Sequence, residues 1–190
     1  MTNKQIGKVL QQIGTLLELN GENPFKTRAY TNAARRIDTW KEPVENLVGE
    51  GRPDDIPGLG KSMVDKVTEL VNTGSLAYYD ELVASVPEGL QEMLSISGLG
   101  AKKIRVIHEV LGINTVGELE YACRENRLVT LEGFGQKTQE RVLNGIELLK
   151  RSRGHHLINR AFESAETLVQ RLQDHPDVIR IAIAGDVRRR

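Results

Sequence analysis

Three stretches of this chain share one frame: IPGLGKSMVDKVTELV, ISGLGAKKIRVIHEVL and LEGFGQKTQERVLNGI. Each has an apolar residue, a variable position, then glycine, an apolar residue and glycine. The paired glycines are Gly58 and Gly60, Gly98 and Gly100, and Gly133 and Gly135. A helical stretch of about eleven residues follows each pair. In the first two copies the apolar residues after the second glycine are Val64, Val67, Leu70 and Val71, then Ile104, Ile107, Val110 and Leu111. The third copy keeps Val142 and Ile146 but has Gln139 and Gly145 at the other two positions, and it is the weakest. A unit repeated in register constrains the fold more than any composition does.

The pattern is that of a helix-hairpin-helix. Two helices meet at a tight turn, where glycine tolerates positive φ and lets another backbone approach. The second helix begins at the turn, so its free N–H groups point outward. Those donors and the helix dipole favour an anion such as a phosphate. The apolar residue between the glycines plugs the hairpin core. Nothing in such a contact reads a base, so DNA binding through the sugar–phosphate backbone is expected to be sequence-independent and salt-sensitive. Lys61, Lys102, Lys103 and Lys137 stand near the turns and add positive charge.

The rest of the chain reads mainly as helix. Thr2 and Gln5 have capping-box spacing, and Ile6, Val9, Leu10, Ile13, Leu16 and Leu17 keep one apolar face. Asn23 and Pro24 suit the start of a second helix, FKTRAYTNAARRIDTW. Further helices are expected around SLAYYDELVASV, EGLQEMLS and TVGELEYACREN, and a long one over Leu157 to Leu172. VIRIAIA, bounded by Pro176 and Gly185, predicts the only strand.

The net charge is zero, with 26 Lys and Arg against 26 Asp and Glu, so the distribution matters more than the sum. From Pro24 to Lys41 the chain carries Lys26, Arg28, Arg35, Arg36 and Lys41 against Asp38 alone. A single cysteine, Cys123, cannot form an internal disulfide, and no apolar run is long enough to span a bilayer. A cytoplasmic setting is expected, with no membrane association. His155 and His156 are adjacent, which is poor metal-ligand spacing, and RSRGHH reads as a linker. Trp40 and Phe25 could stack on bases, but with aromatics at 4% core packing is the better reading.

FKTRAY, then IPGLGKSMVDKV, SGLGAKK and a terminal GDVRRR occur in the order and approximate spacing of family X DNA polymerases. The chain resembles the N-terminal part of the bacterial and archaeal members. The resemblance implies a mainly α fold with three parts. Residues 1–86 correspond to an 8-kDa lyase-like domain with the first hairpin, and 87–150 to a fingers-like DNA-binding subdomain with the other two. Residues 151–190 correspond to the first helix and strand of a polymerase palm.

It also implies residue roles. Lys66, six places after Gly60, falls on the lysine that forms a Schiff base with an abasic sugar. Lys26 and Tyr30 fall on residues that assist binding of the 5′ phosphate, and Arg35 lies in the same basic helix. A second phosphate-binding lysine of the family is Ser62 here, with Lys61 adjacent. Backbone carbonyls of Asp54, Ile56 and Leu59, and of Leu94, Ile96 and Leu99, fall where the family's hairpins hold K+ or Na+. Gly185 and Arg189 match a motif that holds the incoming triphosphate, while Asp186 replaces its usual serine. The family's catalytic aspartate pair comes later than Arg190, so dNTP binding, Mg2+ and polymerisation are expected only of a longer protein.

Such a chain is expected to bind gapped or nicked DNA as a monomer and to be at most a deoxyribose-phosphate lyase. That chemistry needs a neutral amine, which neighbouring cations favour. The alternative is a non-catalytic helix-hairpin-helix scaffold or a junction-binding repair subunit.

Overall fold

The computed structural model describes residues 1–56, 58–152, 158–173, 175, 177–185 and 188. Among these residues there are ten α-helices, two 3-10 turns and no strand. They form two units, Met1–Ile146 and Glu147–Arg190.

The first unit begins with α1 (Asn3–Leu19), α2 (Pro24–Thr39) and α3 (Val44–Gly49). Thr2 caps α1 as its spacing predicts: its hydroxyl accepts from Gln5 N at 3.3 Å, and its own N–H donates to Gln5 Oε1 at 2.8 Å. Asn23 Oδ1 accepts from Phe25 N at 2.9 Å, so α2 starts at Pro24. Asn3 ties the far ends of these helices together. Its Nδ2 donates to the carbonyls of Trp40 and Glu42 at 3.1 and 2.9 Å, and its Oδ1 accepts from Val44 N at 2.8 Å. Along its length α1 packs on α2, and it also meets α5 (Ala77–Ser85) and α7 (Ala101–Leu111). Ile6, Leu10, Ile13 and Leu17 are fully buried there, each contributing about 1.5–3 kcal/mol.

The three repeats each make a helix–turn–helix step. The first runs from α3 through a 3-10 turn (Pro53–Asp55) into α4 (Lys61–Thr73). The second joins α6 (Glu88–Met93) to α7. The third joins α8 (Val116–Arg124), through a 3-10 turn at Leu128–Thr130, to α9 (Gln136–Ser152). The periodic apolar residues bury as expected: Val64, Val67 and Leu70 on α4, Ile104 and Ile107 on α7, and Val142 and Ile146 on α9. Val110 is 62% exposed, in the last turn of α7, which ends at Leu111 with Gly112 as its cap. Cys123 is buried, and burial pushes its thiol up to about 11.

α8 is held by a second capping box. The Glu118 carboxylate accepts the N–H groups of Asn114 and Thr115 at 2.7 and 3.2 Å, which lowers its pKa. The same loop lies directly on α6: a Cβ at Gly89 would sit 2.0 Å from the Asn114 carbonyl oxygen and 3.1 Å from Thr115 Cα. Both obstacles are backbone and cannot swing aside. Gly89→Ala is therefore expected to cost about 2–3 kcal/mol, read as a lowered denaturation midpoint with an unchanged slope.

In the second unit, α10 (Ile158–Gln173) carries the long amphipathic pattern, with Ala161, Phe162, Ala165 and Val169 half-buried and Leu168 and Leu172 exposed. The expected palm strand is not formed. VIRIAIA has no strand among the described residues, and Ile179 is fully exposed. β-branched residues favour the extended form, but a strand needs a neighbour for its N–H and C=O groups, and no second strand among the described residues supplies one. Leu157, His155, His156, Pro176, Asp186 and Arg189 lie outside the described residues. No helix among the described residues is long and apolar enough to cross a membrane.

Candidate nucleic-acid interface

The two glycines of each repeat do different work. The first adopts positive φ in all three turns: Gly58 at 71°, Gly98 at 93° and Gly133 at 79°. A residue with a side chain is strained there, so this glycine makes the bend. The second does not need that freedom. Gly60 and Gly100 are extended N-cap residues at φ −75° and −109°, and their carbonyls accept from Val64 N and Ile104 N at 3.1 and 3.0 Å. Gly135 plays the same part for Gln139 N at 3.1 Å. A Cβ at Gly60, Gly100 or Gly135 would meet nothing within 4 Å, and all three residues are exposed.

No side chain caps α4 or α7. The N–H groups of Lys61 and Ser62, and of Ala101 and Lys102, have no hydrogen-bond partner among the described residues. They lie beside Gly60 and Gly100, where a Cβ would meet nothing within 4 Å, at positions where an anion gains both the donors and the helix dipole. The intervening apolar residues close the turns from inside, with Leu99 and Phe134 buried and Leu59 half-buried.

Beside the first turn lies a cleft of about 640 Å³. Its lining includes Lys26, Tyr30, Arg36, Lys61, Lys66 and Tyr78, and no carboxylate. The Lys66 ammonium donates to Ser62 Oγ at 3.2 Å and stands 5.2 Å over the Tyr78 ring. Lys26 Nζ lies 5.6 Å from the same ring and 3.6 Å from the Glu22 carboxylate. Tyr30 stacks on Tyr78 with ring centroids 6.0 Å apart. Burial first, then Tyr78, pushes the Tyr30 phenol well above its usual range. The Tyr78 oxygen, opposed by desolvation and joined by Glu22, holds Lys26 above the usual ammonium range. The Tyr78 hydroxyl is itself buried, with no hydrogen-bond partner within 3.5 Å.

Lys26, Tyr30, Gly58, Gly60, Lys61 and Lys66 are thus brought to one place. Arg35 is not among them. It lines a separate cleft between α1 and α2 with Lys4, Lys8 and Asp38. The arginine at the hairpin is its neighbour Arg36, whose guanidinium lies against Gly58 so closely that a Cβ there would overlap Nη1. Successive helical residues diverge by about 100°, so one basic cluster in sequence serves two faces in space.

At the second and third turns Lys102 and Lys137 are exposed, and Lys103 Nζ lies 5.4 Å over the Phe134 ring. The carbonyls expected to hold a monovalent cation belong to the right chemistry, neutral oxygens around a bend. Asp54 is the middle residue of the 3-10 turn, Leu94 caps α6, and the Ile96 carbonyl accepts Leu99 N at 3.2 Å while keeping a second lone pair. At the C-terminal end Gly185 is exposed at φ 69°.

Sequence reasoning passed over Tyr78, Arg36 and the part played by Ser62. Ser62, a departure from the family's lysine, accepts from Lys66 one helical turn away. Tyr78 gave a faint signal, the paired tyrosines of SLAYYD, but the repeat does not extend that far.

The fold and these turns define a helix-hairpin-helix protein. A family described as "Helix-hairpin-helix domain" matches residues 1–76, and one described as "SAM-like Helix-hairpin-helix tandem" matches residues 90–147. The chain is homologous along its whole length to the N-terminal third of the DNA polymerase/3'-5' exonuclease PolX of Bacillus subtilis (strain 168), with 29% identity over 192 residues. It is also 25% identical over 131 residues to a DNA ligase of Clostridium botulinum (strain Eklund 17B / Type B), and 24% identical over 128 residues to a DNA ligase of the Alaska E43 / Type E3 strain. Those matches cover 68% and 67% of this chain. The chain spans 33% of the length of PolX, and 20% and 19% of the two ligases.

Proposed function

We propose that this chain is the DNA-binding N-terminal region of a family X repair polymerase, which grips gapped or nicked DNA through its hairpin backbones and uses Lys66 as the nucleophile of a 5′-deoxyribose-phosphate lyase. The observation that carries the reading is the acid-free cleft at the first hairpin, where Lys66 is steadied by Ser62 and Tyr78 beside free helix N–H groups. A 5′ phosphate suits the Lys26, Lys61 and Arg36 side. The Lys66 amine then adds to the C1′ aldehyde and loses water to give an imine. Loss of a C2′ proton breaks the C3′–O bond and frees the 5′-phosphorylated DNA end, and hydrolysis returns the amine.

Lys102, Lys103 and Lys137 reinforce the grip at the second and third turns, and K+ or Na+ rigidifies the first two through their carbonyls. Gly185 and Arg189 serve a nucleotide, with Mg2+, only in a longer protein. An intracellular monomer is the matching state. The likeness to two DNA ligases, over about two thirds of the chain, favours a second reading: binding without chemistry.

The grip is tested by equilibrium binding to gapped and intact duplexes of several sequences across a salt series. Tighter binding to the gapped duplex is expected, with no sequence preference and log K falling linearly with log salt by about 0.9 per phosphate contact. Replacing K+ by tetramethylammonium at equal ionic strength should weaken binding several-fold. A salt-independent affinity, or one that follows base sequence, rejects the reading.

A further inference from the structure

The third repeat departs from the other two at Gln139 and Gly145, and the packing of α9 explains both. A Cβ on Gly145 would sit 2.8 Å from Ile96 Cγ2 and 3.1 Å from Ser97 N, so the glycine lets α9 lie on the second hairpin's turn. Gln139 is 4% exposed and donates through Nε2 to Asn126 Oδ1 at 2.8 Å, fixing the start of α9 to the loop before it. Lys103 of α7 over Phe134 closes the same contact from the other side. The third unit is thereby braced against the second.

That brace delivers one side chain to the second turn. Measured from the position a Gly98 Cβ would take, Arg141 Cδ, Cγ and Cβ lie at 2.7, 3.1 and 3.7 Å. The stem is laid over the positive-φ glycine, and the residue is nevertheless exposed. Its guanidinium has no ion-pair or hydrogen-bond partner among the described residues. In the first hairpin an arginine from another helix also lies over the positive-φ glycine, there with the Arg36 guanidinium rather than the stem against Gly58. Arg141 also stands six places after Gly135, the register that Lys66 occupies after Gly60.

We propose that Arg141, supplied by the third repeat, is a phosphate-binding residue of the second hairpin. It sets a five-donor fork beside the turn whose helix offers the Ala101 and Lys102 N–H groups. This deepens the reading above, since it rests on the hairpins binding a nucleic acid backbone.

The test is binding of a gapped DNA duplex by the whole chain across a salt series, for wild type, Arg141→Ala, Arg141→Met and Arg124→Ala. Arg141→Met keeps the apolar stem on Gly98 and removes only the charge. Arg124, paired with Glu120 at 2.9 Å on α8, controls for loss of one positive charge. Both Arg141 variants are expected to bind about tenfold more weakly, with a salt slope shallower by about one contact, and Arg124→Ala to match wild type. The inference is overturned if Arg141→Met binds like wild type, or if Arg124→Ala loses as much as the Arg141 variants. Wild type failing to bind any DNA instead removes the reading under both.

Discussion

Lys66→Ala is expected to abolish the adduct that borohydride fixes between this chain and incised abasic DNA, while Lys61→Ala keeps it. The contrast follows from placement. Both lysines are on α4 and both line the cleft, but Lys66 is held at 3.2 Å by Ser62 and 5.2 Å over Tyr78, whereas Lys61 opens the helix and is exposed. Alanine is the best helix former, so removing the half-buried Lys66 side chain should leave α4 and the melting curve unchanged. Loss of the covalent product with retained DNA affinity separates the nucleophile from a phosphate ligand. Equal trapping after Lys66→Ala, or no trapping by wild type, removes the lyase and leaves the binding-only reading.

The second large effect concerns the grip. Gly60→Val combined with Gly100→Val is expected to lower affinity for gapped DNA by about a hundredfold in a protein that still folds, at a cost of about 2 kcal/mol in stability. Neither glycine has positive φ, and a Cβ at either meets no protein atom within 4 Å. An extended N-cap tolerates valine at a cost of about 1 kcal/mol each. The open space in front of these positions is where the ligand's backbone must come, to reach the N–H groups of Lys61, Ser62, Ala101 and Lys102; losing charged hydrogen bonds at each turn costs about 1.5–3 kcal/mol. Gly58 and Gly98 cannot serve this test, since their φ values and their arginine neighbours make any side chain destabilising. A folded double variant with wild-type affinity would mean that the turns do not touch the strand.

Much of this was readable from the chain itself. The glycine frame placed all three turns, and the apolar register placed the buried face of α4 and α7, because both are local properties of a repeated unit. Thr2, Gln5, Asn23 and Pro24 marked helix starts through bonds made within a few residues. What escaped was non-local. Tyr78, Arg36 and Arg141 reach the turns from other helices, and no spacing within one repeat records which way a neighbour's side chain points. Arg35 and Arg36 are indistinguishable in sequence, but helical rotation sends them to different clefts. The expected strand failed for a related reason: alternation and β-branching describe a residue's preference, while a strand exists only as one half of a pair.

The position of α1 has a further consequence. One 17-residue helix, about 25 Å long, packs against α2 of the basic cleft and against α7 of the second turn. The two stretches matched by separate families therefore share a single strut. Ile6, Leu10, Ile13 and Leu17 are fully buried on that strut, so the interval between the first and second turns is set by the packing of one helix.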